Sequence, residues 1–229
     1  YTAVKREFKF FDEWSARRYQ KVISLIEEET EVYITDADKA EVKFIVRTTS
    51  DTSLGNYYLY DEPSHTLTHL ADVSPWLKSD MLCAMQPITY TSRDGLVIHG
   101  YLTLPQNKQA QNLPLVVNPH GGPWARDTWR FNPEVQFLAN RGYAVLQMNF
   151  RGSTGYGKQF WEASFKQWGK KMQDDITDGV LHLINLGIAD KNKVAIYGAS
   201  YGGYAALAGL TFTPELYACG VDYVGVSNL

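Results

Sequence analysis

The most restrictive feature of the sequence is a serine between two glycines, at the point where an apolar run meets a small-residue segment. The run Val194-Ala-Ile-Tyr197 leads directly into Gly198-Ala-Ser200-Tyr-Gly202. The run favours a strand, and the Ala- and Gly-rich residues Tyr201–Phe212 favour a helix. A tight strand-to-helix turn exposes one side chain above the sheet, and crowding there favours residues without a Cβ. We therefore expect an exposed, nucleophilic Ser200 Oγ, with the helix N-terminus favouring negative charge beside it.

Two backbone N–H groups are candidates to stabilise the oxyanion that forms when a serine attacks a carbonyl carbon. The first belongs to Tyr201, which follows Ser200 at the start of the expected helix. The second comes from the motif Asn118-Pro-His120-Gly-Gly-Pro123, because a glycine-rich turn after a sheet strand can direct a backbone N–H into the site. We assign this second donor to Gly122, with Gly121 as the alternative.

The histidine of this motif is either a catalytic base or a side chain that orders the loop. We prefer the second interpretation of His120 because of chain order. In folds that carry this serine turn the triad runs Ser, then acid, then His, whereas all five histidines here precede Ser200. Only two acids, Glu215 and Asp222, follow that serine. Since a serine hydroxyl needs an adjacent base, we expect the catalytic Asp and His to lie beyond Leu229, in a part of the domain that this chain lacks.

The first 80 residues differ in character from the remainder. A helix is predicted over Asp12–Glu29, and Asp72–Lys78 has the composition of a linker. Between them, short β-rich runs separated by polar turns favour an antiparallel sheet, as in a sandwich or one blade of a propeller. These runs are Val32–Thr35, Val42–Thr48, Tyr57–Tyr60 and Thr66–Leu70. Four strands are too few to close either structure.

From residue 81 the second region begins, and from Leu113 strands and helices alternate, which indicates a parallel sheet with right-handed crossovers. Asp94-Gly95 predicts a hairpin that joins Ile88–Thr91 to Leu96–Leu104. The other expected strands are Leu115–Val117, Tyr143–Phe150, Lys193–Tyr197 and Ala218–Val224. The expected helices are Pro133–Asn140, Tyr156–Trp168, Met172–Leu186 and Tyr201–Phe212. The sequence therefore predicts an α/β fold for residues 81–229 and a separate antiparallel region for residues 1–80.

Charge and hydropathy exclude several classes of function. Lys and Arg number 22 against 25 Asp and Glu, so the net charge is −3 and no basic excess is present to bind nucleic acid. No apolar run approaches the ~18 residues that span a bilayer. We expect no membrane segment and a soluble protein, of the cytoplasm or the periplasm. The start at Tyr1, without an initiator Met, favours a chain that begins inside a longer polypeptide.

No metal or organic cofactor is expected. Asp174, Asp175 and Asp178 suggest a metal site at first sight, but a solvated first turn of a helix explains them more simply. Cys83 and Cys219 lack metal-ligand spacing and are interpreted as core thiols.

Three motifs occur in order along the second half of the chain: Asn118-Pro-His-Gly-Gly-Pro-Trp-Ala-Arg-Asp127, Asn149-Phe-Arg-Gly-Ser-Thr-Gly-Tyr-Gly157 and Gly198-Ala-Ser-Tyr-Gly-Gly-Tyr204. Together they resemble the prolyl oligopeptidase family of serine peptidases, especially its acylaminoacyl-peptidase-like branch. The resemblance is strong over residues 85–229 and loose over residues 1–80, which are similar to the closing strands of the family's β-propeller. It implies an α/β-hydrolase domain capped by a propeller that admits only short peptides. It also implies Ser200 as nucleophile, and Tyr201 and Gly122 as oxyanion donors.

The sequence therefore predicts a fragment of a serine peptidase. Residues 81–229 are expected to form an α/β-hydrolase domain without its C-terminal part, and residues 1–80 the end of a β-propeller. The expected partner is a short peptide substrate, and the sequence leaves undecided whether the protein forms a homo-oligomer. Two alternatives remain, a carboxylesterase on the same fold and a non-catalytic binding module that has lost its triad. The fragment alone is expected not to hydrolyse peptides.

Overall fold

The computed structural model describes residues 4–106 and 108–227, which fall into two compact units. The N-terminal unit comprises the described residues up to Leu82 together with Trp129–Asn132. The C-terminal unit comprises Cys83–Thr128 and the described residues from Pro133 onward. Within these ranges, no helix combines the length and the apolar character that crossing a membrane requires.

The N-terminal unit is one helix with a four-stranded antiparallel sheet. Its elements are α1 (Glu13–Ile23), β1 (Glu31–Ala37), β2 (Lys43–Thr49), β3 (Asn56–Asp61) and β4 (Thr66–Asp72). Each strand pairs antiparallel with the next, so the order in the sheet is the order in the chain. Val22 of α1 packs with Val32, Phe44, Val46 and Tyr60 of the sheet. The four predicted strands are confirmed, whereas their assignment to a propeller stays a prediction.

Helix α1 begins where the sequence predicted and ends earlier. The side chain of Asp12 accepts a hydrogen bond from the Ser15 N–H and caps the helix. The predicted extension to Glu29 is wrong, because the chain forms a turn after Ile23 instead of continuing the helix. Ser24 Oγ donates to the Lys21 carbonyl at 2.8 Å, and such local side-chain bonds compete with continuation of a helix.

The C-terminal unit contains a six-stranded mixed sheet with helices on both faces. Its strands are β5 (Met85–Thr91), β6 (Val97–Thr103), β7 (Leu113–Val117), β8 (Ala144–Asn149), β9 (Ala189–Ala199) and β10 (Cys219–Tyr223). Its helices are α2 (Pro133–Asn140), α3 (Lys158–Glu162), α4 (Lys171–Asn185) and α5 (Tyr201–Phe212). The sheet order is β10-β9-β7-β8-β6-β5, with β7 to β10 parallel and the β5–β6 hairpin antiparallel. The predicted α/β arrangement and its hairpin are confirmed.

The side chains of β8 show how the helices cover the sheet. Leu146 and Met148 belong to the main core, which also contains Ile176 of α4 and Ala205 of α5. Val145, between them in sequence, belongs to a separate cluster with Cys83 and with Val135 and Ala139 of α2. Because successive side chains of a strand point to opposite faces, α4 and α5 cover one face and α2 covers the other.

Two predictions about this unit are wrong. The segment Tyr156–Trp168 contains only the short helix α3, because Lys166 has a φ of 59° and Ser164 Oγ donates back to the Trp161 carbonyl at 2.7 Å. A left-handed residue cannot continue a right-handed helix. Cys219 is exposed on β10, whereas Cys83 is buried as predicted.

Candidate active site

Ser200 lies at the junction of β9 and α5 and is exposed. Its φ of 56° and ψ of −119° are unusual for a residue with a Cβ. The main chain is held on both sides of this turn: the Ser200 N–H donates to the carbonyl oxygen of Tyr223 in β10, and its carbonyl accepts from the Tyr204 N–H, each at 3.0 Å. The strand-to-helix turn and the exposed serine therefore have the arrangement that the sequence predicted.

Glycines surround the turn because no side chain fits there. A Cβ on Gly198 would lie 2.4 Å from the carbonyl carbon and oxygen of Gly202. A Cβ on Gly202 would lie 2.2 Å from the carbonyl oxygen of Pro119. Both distances are far inside van der Waals contact. The pattern of glycines around Ser200 thus reflects close packing of the turn against the loop that follows β7.

That loop runs beside the serine. A Cβ on Gly121 would lie 3.4 Å from Ser200 Cβ and 4.0 Å from Ser200 Oγ. Gly122 is exposed and has a φ of 122°, and a Cβ there would meet the main-chain nitrogen of Trp124 at 2.7 Å. Asn118 Nδ2 anchors the loop to β9 by donating to the Tyr197 carbonyl at 2.9 Å. The structure therefore brings the glycine motif and Ser200 together, with Gly121 in direct proximity to the serine.

His120 is a clamp within this loop. Its Nδ1 donates to the Gly121 carbonyl at 2.7 Å, and its Nε2 lies 2.8 Å from Ser153 Oγ. The ring stacks on Phe150 with centroids 4.3 Å apart. Burial, together with the positive charge of Arg126, lowers the pKa of His120 to about 4, although the bond to Gly121 acts in the opposite direction. A neutral imidazole with both nitrogens engaged within the protein supports the loop-ordering interpretation.

Ser153, the partner of His120, stands on a segment that is fixed by a buried ion pair. The Arg151 guanidinium contacts the Asp175 carboxylate at 2.7 Å and the Asp94 carboxylate at 2.8 Å, and the Arg151 N–H donates to Asp175 as well. The side chains of Arg151 and Asp175 are 4% and 0% exposed. The bonds from Arg151 hold the pKa of Asp94 well below its usual range. Arg151 therefore ties the end of β8 to α4 and to the β5–β6 hairpin.

The predicted solvated cluster of aspartates on α4 is wrong for Asp175, which is fully buried. Asp174 and Asp178 pair with the guanidinium of Arg93 at 2.9 and 2.8 Å. Within the described ranges, no three or more His, Cys, Asp or Glu residues form a group that could hold a metal ion. The aspartates of α4 are thus partners of arginines.

Tyr201 is the first residue of α5 and anchors the turn in the core. Its side chain is 1% exposed and packs against the rings of Phe150, Trp168 and Tyr204, with centroid distances of 5.4, 4.9 and 5.6 Å. Burial raises the pKa of its phenol. The first N–H groups of a helix have no acceptor within the helix, so the Tyr201 backbone N–H can be offered to a ligand at the turn.

Two residues that hold the site in place were not identified as such from the sequence: Arg151 and Ser153. The motif from Asn149 to Gly157 was identified as a shaped loop at the carboxyl end of a strand, where α/β sheets place their ligands. That pattern indicates the loop but not its partners, because Asp175 and His120 lie 24 and 33 positions away from the residues they contact.

Comparison with known proteins agrees with this geometry. The model of the prolyl oligopeptidase family matches residues 129–229. The chain is 49% identical over 180 residues to dipeptidyl aminopeptidase BIII of Pseudoxanthomonas mexicana, covering 76% of this chain and 26% of that protein. It is 40% identical over 193 residues to dipeptidyl peptidase family member 6 of Caenorhabditis elegans, covering 75% and 26%. The chain thus spans about a quarter of the length of these relatives.

Solved structures give the same result. The acylaminoacyl peptidase of Pyrococcus horikoshii superposes with a TM-score of 0.72 at 26% sequence identity, over 89% of this chain and 32% of that protein. This structural similarity covers more of the chain than the family model does, since the family model matches residues 129–229. Residues 129–229, which contain the second and third of the three motifs, match the prolyl oligopeptidase family of peptidases, the family that the motifs resemble.

Proposed function

We propose that this chain is part of a serine peptidase in which Ser200 is the nucleophile and the backbone N–H groups of Tyr201 and Gly122 stabilise the oxyanion. The observation that carries the proposal is the exposed Ser200 at a positive φ, with the glycine loop packed beside it. Such a turn presents a hydroxyl away from the sheet, beside the N-terminus of a helix that favours negative charge. The similarity to peptidases supports the same chemistry.

The reaction is an acyl transfer. Ser200 Oγ attacks the carbonyl carbon of a peptide bond while a histidine takes its proton, and an aspartate orients that histidine. The carbonyl oxygen becomes an oxyanion between the two N–H groups. The C–N bond then breaks, the amine leaves with the proton, and water releases the acyl group from the serine. The histidine and the aspartate are proposed to lie after Leu229, because the relatives are about three times as long as this chain.

His120 supports the assignment of Gly122. In a trans peptide group the carbonyl and the next N–H point to opposite sides. The bond from His120 Nδ1 to the Gly121 carbonyl therefore also sets the direction of the Gly122 N–H. The neutral imidazole acts on the loop and takes no proton from the nucleophile.

The proposed substrates are short peptides. Two of the relatives are named as dipeptidyl peptidases, so release of a dipeptide from a free N-terminus is the specificity to assay first. If the four N-terminal strands belong to a propeller, as the sequence predicts, an α/β-hydrolase portion that follows them fits a peptidase better than a carboxylesterase.

The test compares substrates on the intact protein that the gene encodes. We expect hydrolysis of dipeptide anilides, with the blocked N-acyl analogues and simple esters as comparison arms. Hydrolysis of esters alone would contradict the peptidase assignment. Intact protein without a downstream Asp and His would favour the binding module. The isolated chain of residues 1–229 is expected to be inactive, and turnover by it that Ser200→Ala abolishes would contradict the proposed position of the base.

A further inference from the structure

The turn that follows β10 is built around one carboxylate oxygen. Asp222 Oδ1 accepts a hydrogen bond from the Gly225 N–H at 2.8 Å. A Cβ on Gly203 of α5 or on Gly225 would lie 2.2 Å from that same oxygen. Only glycines therefore fit on the two sides of Oδ1. The Asp222 carboxylate lies between the turn and the first turn of α5.

This turn also supplies the acceptor for the main chain of the proposed nucleophile. The carbonyl oxygen of Tyr223, the residue after Asp222, accepts from the Ser200 N–H at 3.0 Å. In the parallel pairing of β10 with β9, Tyr223 lies opposite Ala199, the residue before Ser200. The position of the Ser200 backbone thus depends on where the end of β10 is held.

The hydrogen bond between the Ser200 N–H and the Tyr223 carbonyl lies between two residues with a strained backbone. Ser200 has a φ of 56°, and Val224, which follows Tyr223, has a φ of 49°. A positive φ is a true outlier for a β-branched residue, and strain of this kind persists only where the surrounding structure holds it. At Val224 the visible restraint is the bond across it, from the Gly225 N–H to Asp222 Oδ1.

We propose that Asp222 is a positioning residue: its Oδ1 holds the turn at Val224, which keeps the Tyr223 carbonyl on the Ser200 N–H and so fixes the nucleophile. The inference rests on the proposed role of Ser200. Asp222 acts through the main chain, and it need not be ionised, because an amide oxygen accepts the same hydrogen bond.

The test measures kcat and KM for peptide hydrolysis by the intact protein. To calculate kcat, the concentration of active enzyme is taken as the concentration of molecules that a fluorophosphonate labels when labelling is complete. Asp222→Ala is expected to lower kcat by about 10- to 100-fold, since small misplacements of a reacting group cost up to that much, and to leave KM nearly unchanged. Asp222→Asn is expected to retain most of the wild-type kcat. The matched control is Asp190→Ala, which removes a similar bond, to the Asn192 N–H, at the opposite end of β9, and is expected to leave kcat unchanged.

A second variant tests the strain itself. Glycine adopts a positive φ without cost, so adding Val224→Gly to Asp222→Ala is expected to restore part of the lost kcat, or the fold if the single variant does not fold. Failure to restore either overturns the inference. An unchanged kcat in Asp222→Ala also overturns it. An Asp222→Asn variant as impaired as Asp222→Ala overturns it as well, because the carboxylate then acts through its charge. Ser200→Ala is measured alongside, with turnover expressed per molecule of total protein, because turnover that survives there contradicts the proposed function itself, whatever Asp222 does.

Discussion

The α carbon of Gly202 faces the carbonyl oxygen of Pro119 so closely that a Cβ on Gly202 would lie 2.2 Å from that oxygen. This contact joins the helix that follows Ser200 to the loop that carries His120, Gly121 and Gly122. The two parts of the proposed oxyanion site come from segments about 80 residues apart, and the absence of a side chain at Gly202 lets them meet.

Substitution of Gly202 should therefore separate these segments. We expect Gly202→Ala to lower kcat for peptide hydrolysis in the intact protein by about 100-fold, because the displaced loop no longer offers its N–H to the oxyanion. Gly187→Ala is the control: that glycine has a φ of 71° and no neighbour near its Cβ position. It should cost about 1–2 kcal/mol of stability and leave kcat unchanged. Equal kcat values for the two variants would contradict the role of the contact.

His120 should act through its Nδ1 contact with the Gly121 carbonyl. His120→Asn can keep that bond, because an asparagine amide nitrogen occupies nearly the same place as Nδ1, whereas His120→Phe keeps only the stacking on Phe150. We expect His120→Phe to lower kcat by about 10- to 100-fold with little change in KM, and His120→Asn to lower it less. If His120 were the general base, both variants would lose activity equally.

The depressed pKa of His120 predicts a pH dependence of stability. Its pKa is about 4 in the folded protein and about 6.5 in the unfolded chain, so the unfolded state binds the extra proton first as the pH falls. The stabilisation is complete above pH ~6.5 and is lost progressively towards pH ~4. Melting temperatures of the wild type and His120→Phe between pH 7 and pH 4 test this, and the variant should show the shallower decline. Parallel curves would show that the pKa of His120 is not depressed.

Arg151 should matter mainly to stability. Removing one partner of a buried ion pair leaves the other charge uncompensated, so Arg151→Met should cost about 3–5 kcal/mol, because Asp175 is fully buried. Lys158→Met, which breaks the exposed pair with Glu162, should leave the melting temperature nearly unchanged. Denaturant unfolding of the two variants measures the difference, and similar losses would contradict the structural role of Arg151.

The sequence predicted best where local chemistry fixes the structure. Helix α2 has the predicted bounds, Pro133–Asn140, since a proline suits its first turn and the left-handed Gly142 follows its end. The bounds of α5 are also as predicted, because the serine turn defines where it begins. Asp94-Gly95 likewise located the hairpin between β5 and β6.

The failures come from interactions between distant residues. The aromatic residues between Tyr156 and Trp168 have helical spacing, yet Lys166 is left-handed and Trp124 Nε1 binds Ser164 Oγ from 40 residues away. Asp175 looked solvated because its partner, Arg151, belongs to another segment. The part of Asp222 in the site could not be inferred from its neighbours in sequence, since it depends on Gly203 in a different element.

Peptide hydrolysis by the intact protein, with and without the Ser200 hydroxyl, tests the proposed nucleophile most directly. Ser200→Ala removes only the oxygen from an exposed side chain, so the fold and the melting temperature should be retained. If Ser200 is the nucleophile, kcat falls by about 10⁶-fold and a fluorophosphonate no longer labels the protein. A folded Ser200→Ala variant that still hydrolyses peptides at the wild-type rate would contradict that assignment.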